Sequence, residues 1–367
     1  MISQLAWFGL GLVALVAGAE LLVKGASKLA YSFGISPLVV GLTVVAFGTS
    51  APELAVSIKA VVAGQVDIAI GNVVGSNIFN VLFILGLAAV ITPLVVAAQI
   101  IRQEVPIMIA ASLLLLTLAW DGFISRLDGA ILLGLLLVYT VFLVRQSRRQ
   151  TQVTHDEYAQ EFGESAASPT RAWQRAQGRL SVQLVLIVAG LALLVLGSQW
   201  LVAAAVTFAR WVGVSELVIG LTIVAAGTSL PEVAASVTAS IKGERDIAIG
   251  NVIGSNTFNI LGVLGMAALL SPAPLPMAPA MMAFDCWVML AVAFACLPVL
   301  FTGRVIARWE GAVFLAYYAA YTAYLILDSQ GHDALPQYSA AMLWFVVPLT
   351  LLTLAVAVGR EMRGRPE

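Results

Sequence analysis

The sequence predicts an all-α polytopic membrane protein built from two inverted five-helix repeats with broken helices, followed by an eleventh, C-terminal span. Three observations predict it. The chain of 367 residues is 60% hydrophobic and 11% charged, a mixture that a polar surface cannot cover. Apolar runs of roughly 18 to 25 residues, each long enough to cross a bilayer core as a helix, recur along it. One unusual polar stretch, embedded in two of those runs, occurs twice.

The eleven spans are read at 5–23, 37–63, 68–92, 104–119, 127–144, 181–209, 215–241, 247–270, 279–302, 309–327 and 338–359. The first, "MISQLAWFGLGLVALVAGAE", ends in small residues like a secretory leader but lacks the basic start of one, so it is read as a span. With the N-terminus outside, the loops of one side collect every Lys and Arg except Lys59, Arg126 and Arg210. The positive-inside rule makes that side cytoplasmic, together with the C-terminal "GREMRGRPE", and places the chain in the cell membrane.

Residues 1–145 are read as the first membrane repeat, 146–179 as a cytoplasmic linker, 180–327 as the second repeat, and 328–367 as an outer loop, the extra span and a cytoplasmic tail. His155, Asp156, Glu157, Glu161 and Glu164 in the linker match no metal-loop spacing and read as solvated, and His332 reads as loop chemistry. Cys286 and Cys296 share one span, where a disulfide is not expected. A net charge of −1 argues against nucleic acid as a partner. The bilayer is the expected surrounding, and neither a protein partner nor a resident cofactor is indicated.

Residues 41–86 align on 220–265 without a gap, at an offset of 179, with 29 of 46 positions identical. Apolar composition alone cannot produce this, because the identities include Gly, Thr, Ser, Pro, Glu and Asn. Five spans per half is an odd number, so the second copy enters the membrane from the opposite side. Inverted repeats whose broken helices meet at the midplane are a signature of secondary transporters.

"AFGTSAPELAVS" at 46–57 and "AAGTSLPEVAAS" at 225–236 each set a proline four residues after a glycine. The carbonyls of Gly48 and Gly227 thereby lose their helical donors, at Pro52 and Pro231. In hydrocarbon such carbonyls are tolerated where protein, water or an ion meets them. Thr49 and Glu53 are four apart, as are Thr228 and Glu232, and each pair is predicted to share a helix face. Two facing copies bring together two carboxylates, the hydroxyls of Thr49, Ser50, Thr228 and Ser229, and unpaired carbonyls. Calcium takes roughly six to eight oxygens in flexible geometry, neutral oxygens suit sodium, and no sulfur or imidazole is there for zinc or copper. The structural alternative is a pair of protonated acids bonding across helices, with hydroxyls bonded back to helix carbonyls. The cost of an intramembrane carboxylate, met twice beside a helix break, favours ion binding.

The downstream motif reads "DIAIGNVVGSNIFN" at 67–80 and "DIAIGNVIGSNTFN" at 246–259. Asp67 and Asp246 open their spans and are expected to cap them. Gly71 with Gly75, and Gly250 with Gly254, form small-xxx-small faces that let helices approach. Ser76 with Asn80, and Ser255 with Asn259, share faces and offer neutral oxygens. Asn72, Asn77, Asn251 and Asn256 fit ligation and interhelical hydrogen bonding equally. Glu20 and Glu104 have no acidic counterpart in the other half and are expected at span ends, whereas Asp285 lies inside the ninth span without an evident role.

The pair "GTSAPE…GNVVGSNIFN" and "GTSLPE…GNVIGSNTFN" resembles the two alpha-repeats of the cation/calcium exchanger superfamily, and most closely the prokaryotic sodium/calcium antiporters. The resemblance implies Glu53 and Glu232 as central calcium ligands, helped by Thr49 and Thr228. It implies Ala46, Ser50, Ala225 and Ser229, with Ser76 and Ser255, around flanking sodium sites, and Asn80 and Asn259 as the remaining polar pair. Some members carry an aspartate at one of those asparagine positions, and its absence here argues against potassium co-transport. The implied mechanism is alternating access with calcium and sodium as transported ions. Exchange of three sodium ions for one calcium would move one net charge, to which 100 mV contributes about 2.3 kcal/mol. Two carboxylates in one dry site should also make transport sensitive to acid.

Three alternatives have distinct marks. A proton/calcium exchanger would use the same two glutamates with protons as counter-ion. An intramembrane enzyme would need a nucleophile or histidine beside them, and both histidines lie in polar segments. A channel would also use carboxylates, but inverted repeats with broken helices favour a transporter.

Overall fold

The computed structural model describes residues 2–162, 180–211 and 225–363 of the chain. Residues 163–179 of the predicted linker at 146–179, the opening of the seventh span at 215–224 and the side chain of Ala225 lie outside the described residues. Twelve helices carry the fold: α1 (Ile2–Phe33), α2 (Pro37–Thr49), α3 (Ala51–Val62), α4 (Val66–Ile91), α5 (Ile100–Asp121), α6 (Arg126–Phe162), α7 (Leu180–Trp211), α8 (Leu230–Ile241), α9 (Arg245–Leu270), α10 (Met281–Phe301), α11 (Arg308–Ser329) and α12 (Leu335–Gly359). Among the described residues nine of these are long and apolar enough to cross a bilayer. The bent pair α2 and α3, at 43°, makes a tenth, and α8 is a shorter apolar helix within the predicted seventh span. α1 runs ten residues past the predicted end of its span, because Lys24, Ser27 and Lys28 end the apolar run without breaking the helix. α6 likewise continues into the polar segment, to Phe162.

α1 and α7, the first helices of the two halves, run antiparallel in close contact. Gly11 faces Gly197 and Leu201, Gly18 faces Gly190 and Leu194, and Gly25 faces Ile187. A Cβ on Gly18 would stand 2.8 Å from the Gly190 carbonyl oxygen, so these glycines let the two backbones touch. The pair has its own apolar cluster around Leu22, Ala26, Ile187 and Leu194, while a larger cluster draws on both halves through α4, α5, α9 and α10. α2 and α9 contribute to both clusters.

Two short strand pairs join the halves. β1 (Leu94–Val95) pairs antiparallel with β4 (Val305–Ile306), and β2 (Phe123–Ile124) with β3 (Leu275–Pro276). Beside them Arg126 donates to the Ser271 carbonyl at 2.8 and 3.0 Å, and Arg308 to the Ile91 carbonyl at 3.4 Å. Each half thus caps a helix end of the other. α12 exposes Leu343, Trp344 and Phe345 and leaves a largely apolar cavity of about 770 Å³ against α10 and α11.

Two expectations about acidic residues need correction. Glu104 and Asp285 are counterparts: each ends the π-helical turn that opens α5 or α10, and each accepts a tyrosine hydroxyl from the next long helix. Tyr139 donates to Glu104 at 2.7 Å, and Tyr321 to Asp285 at 2.8 Å. Glu104 does lie at a span end, but fully buried, and it also accepts from Gln99 at 2.8 Å and Gln103 at 2.7 Å. Glu20 lies within α1 and pairs with Lys242 at 3.6 Å. Tyr139→Phe leaves a carboxyl oxygen of fully buried Glu104 without its donor, a loss of roughly 1–3 kcal/mol. Asp285 is only half-buried, so thermal unfolding in detergent is expected to show a larger fall in Tm for Tyr139→Phe than for Tyr321→Phe.

Candidate cation site

The repeated stretch folds as two helical pieces separated by a short break, at Ser50 in the first half and at Thr228 and Ser229 in the second. Ser50 has φ −82° and ψ 6°, and Ser229 has φ −89° and ψ 6°. Pro52 and Pro231 then sit in the first turn of α3 and α8, where their missing N–H and fixed φ are tolerated. Thr49 and Glu53 therefore do not share one helix face as expected, because the break falls between them. The glutamates stand in the first turns of α3 and α8, a position that favours negative charge.

What the break prevents within a half it permits between halves. Ser229 donates to Glu53 Oε1 at 2.8 Å, and Ser50 to Glu232 Oε1 at 3.0 Å. Thr49 donates to Asn251 Oδ1 at 3.0 Å, and Thr228 to Asn72 Oδ1 at 3.4 Å. Within each half Asn72 holds Ser57 at 2.9 Å and the Glu53 carbonyl at 3.1 Å, while Asn251 holds Ser236 at 2.9 Å and the Glu232 carbonyl at 3.5 Å. Deeper in, Asn77 and Asn256 exchange amide-to-carbonyl bonds at 3.3 and 3.2 Å. Asn80 donates to Asn256 at 3.0 Å, and Asn259 to Asn77 at 3.2 Å. The four asparagines 72, 77, 251 and 256 thus serve as interhelical hydrogen-bonding residues.

The oxygens left over share one character. Among the described residues no hydrogen bond reaches Glu53 Oε2, Glu232 Oε2, Asn80 Oδ1, Asn259 Oδ1 or Ser255 Oγ, all of them buried. Buried polar atoms ordinarily find partners, and these belong to positions singled out from the sequence. Four of the five can only accept. A set of buried, acceptor-rich oxygens carrying two carboxylates fits a hard cation and no anion. Ala46, Thr49, Ser50, Ser76 and Ser229 are buried around it, Thr228 is half-buried, and Ser76 lies 3.4 Å from Ser229. Asn80 and Asn259 each open a π-helical turn, Asn80–Leu85 and Asn259–Leu264, a local widening often found at functional sites.

One further expectation changes. Asp67 and Asp246 fall in the first turns of α4 and α9, but Gln65 and Glu244 hold the cap positions, without a side-chain cap bond. Gly250 and Gly254 do allow close approach, to Leu38 and Leu42 of α2, whereas residues 217–224, which match the α2 segment, lie outside the described residues that surround Gly71 and Gly75. The Gly227 carbonyl is met by protein, since the Ser198 hydroxyl of α7 donates to it at 2.6 Å. Ser198 was missed for a simple reason: Ala19 occupies the matching place in α1, so the residue is not part of the repeat.

The comparisons agree with this architecture. CaxA of Alkalimonas amylolytica is 41% identical over 322 residues, covering 87% of this chain and 97% of that protein. The sodium/calcium exchanger MaX1 of Methanosarcina acetivorans is 35% identical over 339 residues, covering 86% of this chain and 96% of its own. A solved structure of the sodium-calcium exchanger NCX_Mj superposes with a TM-score of 0.72 at 30% identity, over 88% of this chain and 98% of that one. The family described as sodium/calcium exchanger protein matches at residues 3–145 and 182–327, so this integral membrane protein belongs to the sodium/calcium exchanger family of cation/calcium antiporters.

Proposed function

We propose that the chain exchanges sodium for calcium by alternating access, electrogenically, with Glu53 and Glu232 as the central calcium ligands assisted by Thr49 and Thr228. Ala46, Ser50, Ala225, Ser229, Ser76, Ser255, Asn80 and Asn259 surround the sodium positions. The observation that carries this reading is the convergence of unpartnered buried oxygens on the two carboxylates. Ser50 and Ser229 each bond the glutamate of the opposite half, so they orient the carboxylates as well as offering lone pairs.

On this reading residues 1–145 and 180–327 are inverted halves. The antiparallel course of α1 and α7 and the exchanged strand pairs support that, since β1 with β4 and β2 with β3 each require two loops on one membrane face. The N-terminus lies outside, with the linker at 146–179 and the C-terminus in the cytoplasm, and the host is the cell membrane.

Calcium-45 uptake into proteoliposomes loaded with sodium, diluted into sodium-free buffer at clamped pH with valinomycin setting the potential, tests the reading. Uptake is expected to require internal sodium and, because three sodium ions leaving for one calcium entering carry one net positive charge outward, to rise when the inside is made positive. A second reading keeps the fold and glutamates but uses protons as counter-ion. It is favoured by the lack of a basic partner for either carboxylate among the described residues, which leaves each free to take a proton. Uptake driven by a pH gradient without sodium would select it.

A further inference from the structure

The two threonines beside the helix breaks each stand between a carboxylate and an asparagine of the opposite half. Thr49 lies beside the Glu232 carboxylate and Thr228 beside that of Glu53. Yet Thr49 donates to Asn251 Oδ1 at 3.0 Å, and Thr228 to Asn72 Oδ1 at 3.4 Å, while among the described residues no hydrogen bond reaches Oε2 of either glutamate. For Thr49 the Ala46 carbonyl is a poorer alternative, since it stands at 3.4 Å and already accepts from the Ser50 amide at 3.0 Å. The asparagines can accept because their amides are pinned from the other end. Asn251 donates to Ser236 Oγ at 2.9 Å and to the Glu232 carbonyl at 3.5 Å, and Asn72 to Ser57 Oγ at 2.9 Å and to the Glu53 carbonyl at 3.1 Å. A flipped amide would set its NH2 group against the threonine and its oxygen against a carbonyl, so the network fixes which end faces the hydroxyl.

We propose that Asn251 and Asn72 are positioning residues for calcium: each takes the proton of the opposite half's threonine, so that the hydroxyl faces the ion with lone pairs alone and the glutamate beside it stays open. This deepens the reading of Thr49, Thr228 and the two glutamates as calcium ligands and rests on it. A hydroxyl has one proton and two lone pairs. Given to the carboxylate, that proton fills an oxygen position that a cation needs and points a positive end into the site. Given to the asparagine, it leaves both the threonine and the glutamate as acceptors, which is what a hard cation requires. Thr49, Asn251 and Ser236 are all fully buried, so no solvent is at hand to take the proton in place of the amide. Donor and acceptor come from different halves, and the threonine is therefore set for the ion only while α2 and α9 keep their register.

The test is a double-mutant cycle on calcium binding, read as Kd by titration calorimetry of the purified full-length protein in sodium-free buffer. Asn251→Ala is expected to raise the Kd about tenfold, the equivalent of roughly 1.4 kcal/mol. Thr49→Val, which keeps the shape and removes the hydroxyl, should raise it as well, and adding Asn251→Ala to Thr49→Val should change nothing further. A residue that only holds helices together would weaken binding by the same factor in both backgrounds. An unchanged Kd in Asn251→Ala, or an equal loss with and without the Thr49 hydroxyl, overturns the inference and leaves the ligand reading intact so long as Thr49→Val binds more weakly. A wild-type Kd in Thr49→Val overturns the threonine reading and this inference with it. If Asn251→Ala does not yield folded protein, Ser236→Ala enters the same cycle, because it frees the amide to turn without touching Thr49. It should raise the Kd about threefold, the share of one hydrogen bond, and only where the Thr49 hydroxyl is present. No change, or a change indifferent to Thr49, overturns the proposed positioning.

Discussion

Glu53→Gln and Glu232→Gln are each expected to lower calcium uptake by two to three orders of magnitude while the purified proteins keep their wild-type helix content and elution volume. Glutamine matches glutamate in shape and still presents an oxygen to Ser229 or Ser50, so the hydrogen bonds between the halves survive. On the proposed reading, what is lost is one of two negative charges facing a divalent ion in a buried site. Removing one partner of a buried ionic cluster costs about 3–5 kcal/mol, which sets the expected loss. If both carboxylates meet the same ion, as proposed, the double variant should be little worse than either single one. Wild-type uptake in either variant would refute the assignment of the glutamates.

Gly254→Val is expected to abolish transport by a different route. A Cβ at Gly254 would stand 2.6 Å from the Leu42 carbonyl oxygen and 2.9 Å from the Ala46 Cβ, with little freedom in either neighbour. The larger side chain must push α2 away from α9, and overpacking of this kind costs about 1–3 kcal/mol even where neighbours can adjust. Ala46 lies four residues before Ser50, so the displacement reaches the helix break directly. Gly134, whose Cβ position meets nothing within 4 Å, is the control: Gly134→Ala should keep transport and melt no lower than wild type. Equal behaviour of the two variants would show that the approach of α2 to α9 is not needed.

The site was legible in the sequence where chemistry runs against its surroundings. Glu53, Glu232, Asn80 and Asn259 stand out because hydrocarbon penalises them, and their recurrence at one offset ties them together. Partners were less legible. Which asparagine receives Thr49, or which glutamate receives Ser50, depends on how two distant segments cross, and no local pattern encodes that. The equivalence of Glu104 and Asp285 escaped for a related reason: beyond residue 86 the offset between the halves grows to 181, and to 182 at Tyr139 and Tyr321, so an ungapped alignment ends before it reaches them. The glycine seam between α1 and α7 was hidden because alternating helix contacts look like ordinary membrane composition. Spans overran their predicted ends wherever polar residues that tolerate helix followed an apolar run.

The exchanged strand pairs have a consequence for biogenesis. Leu94 pairs with Ile306, so the loop after α4 finds its partner only when roughly 200 further residues have left the ribosome. At about 5–20 residues per second this is a wait of some ten to forty seconds. During it the first half sits in the bilayer with open strand edges and with Asn77 and Glu53 lacking their counterparts. Insertion and maturation are thus separate events for this chain, and the final structure is a late product of synthesis that a ribosome stalled before Leu275 cannot reach.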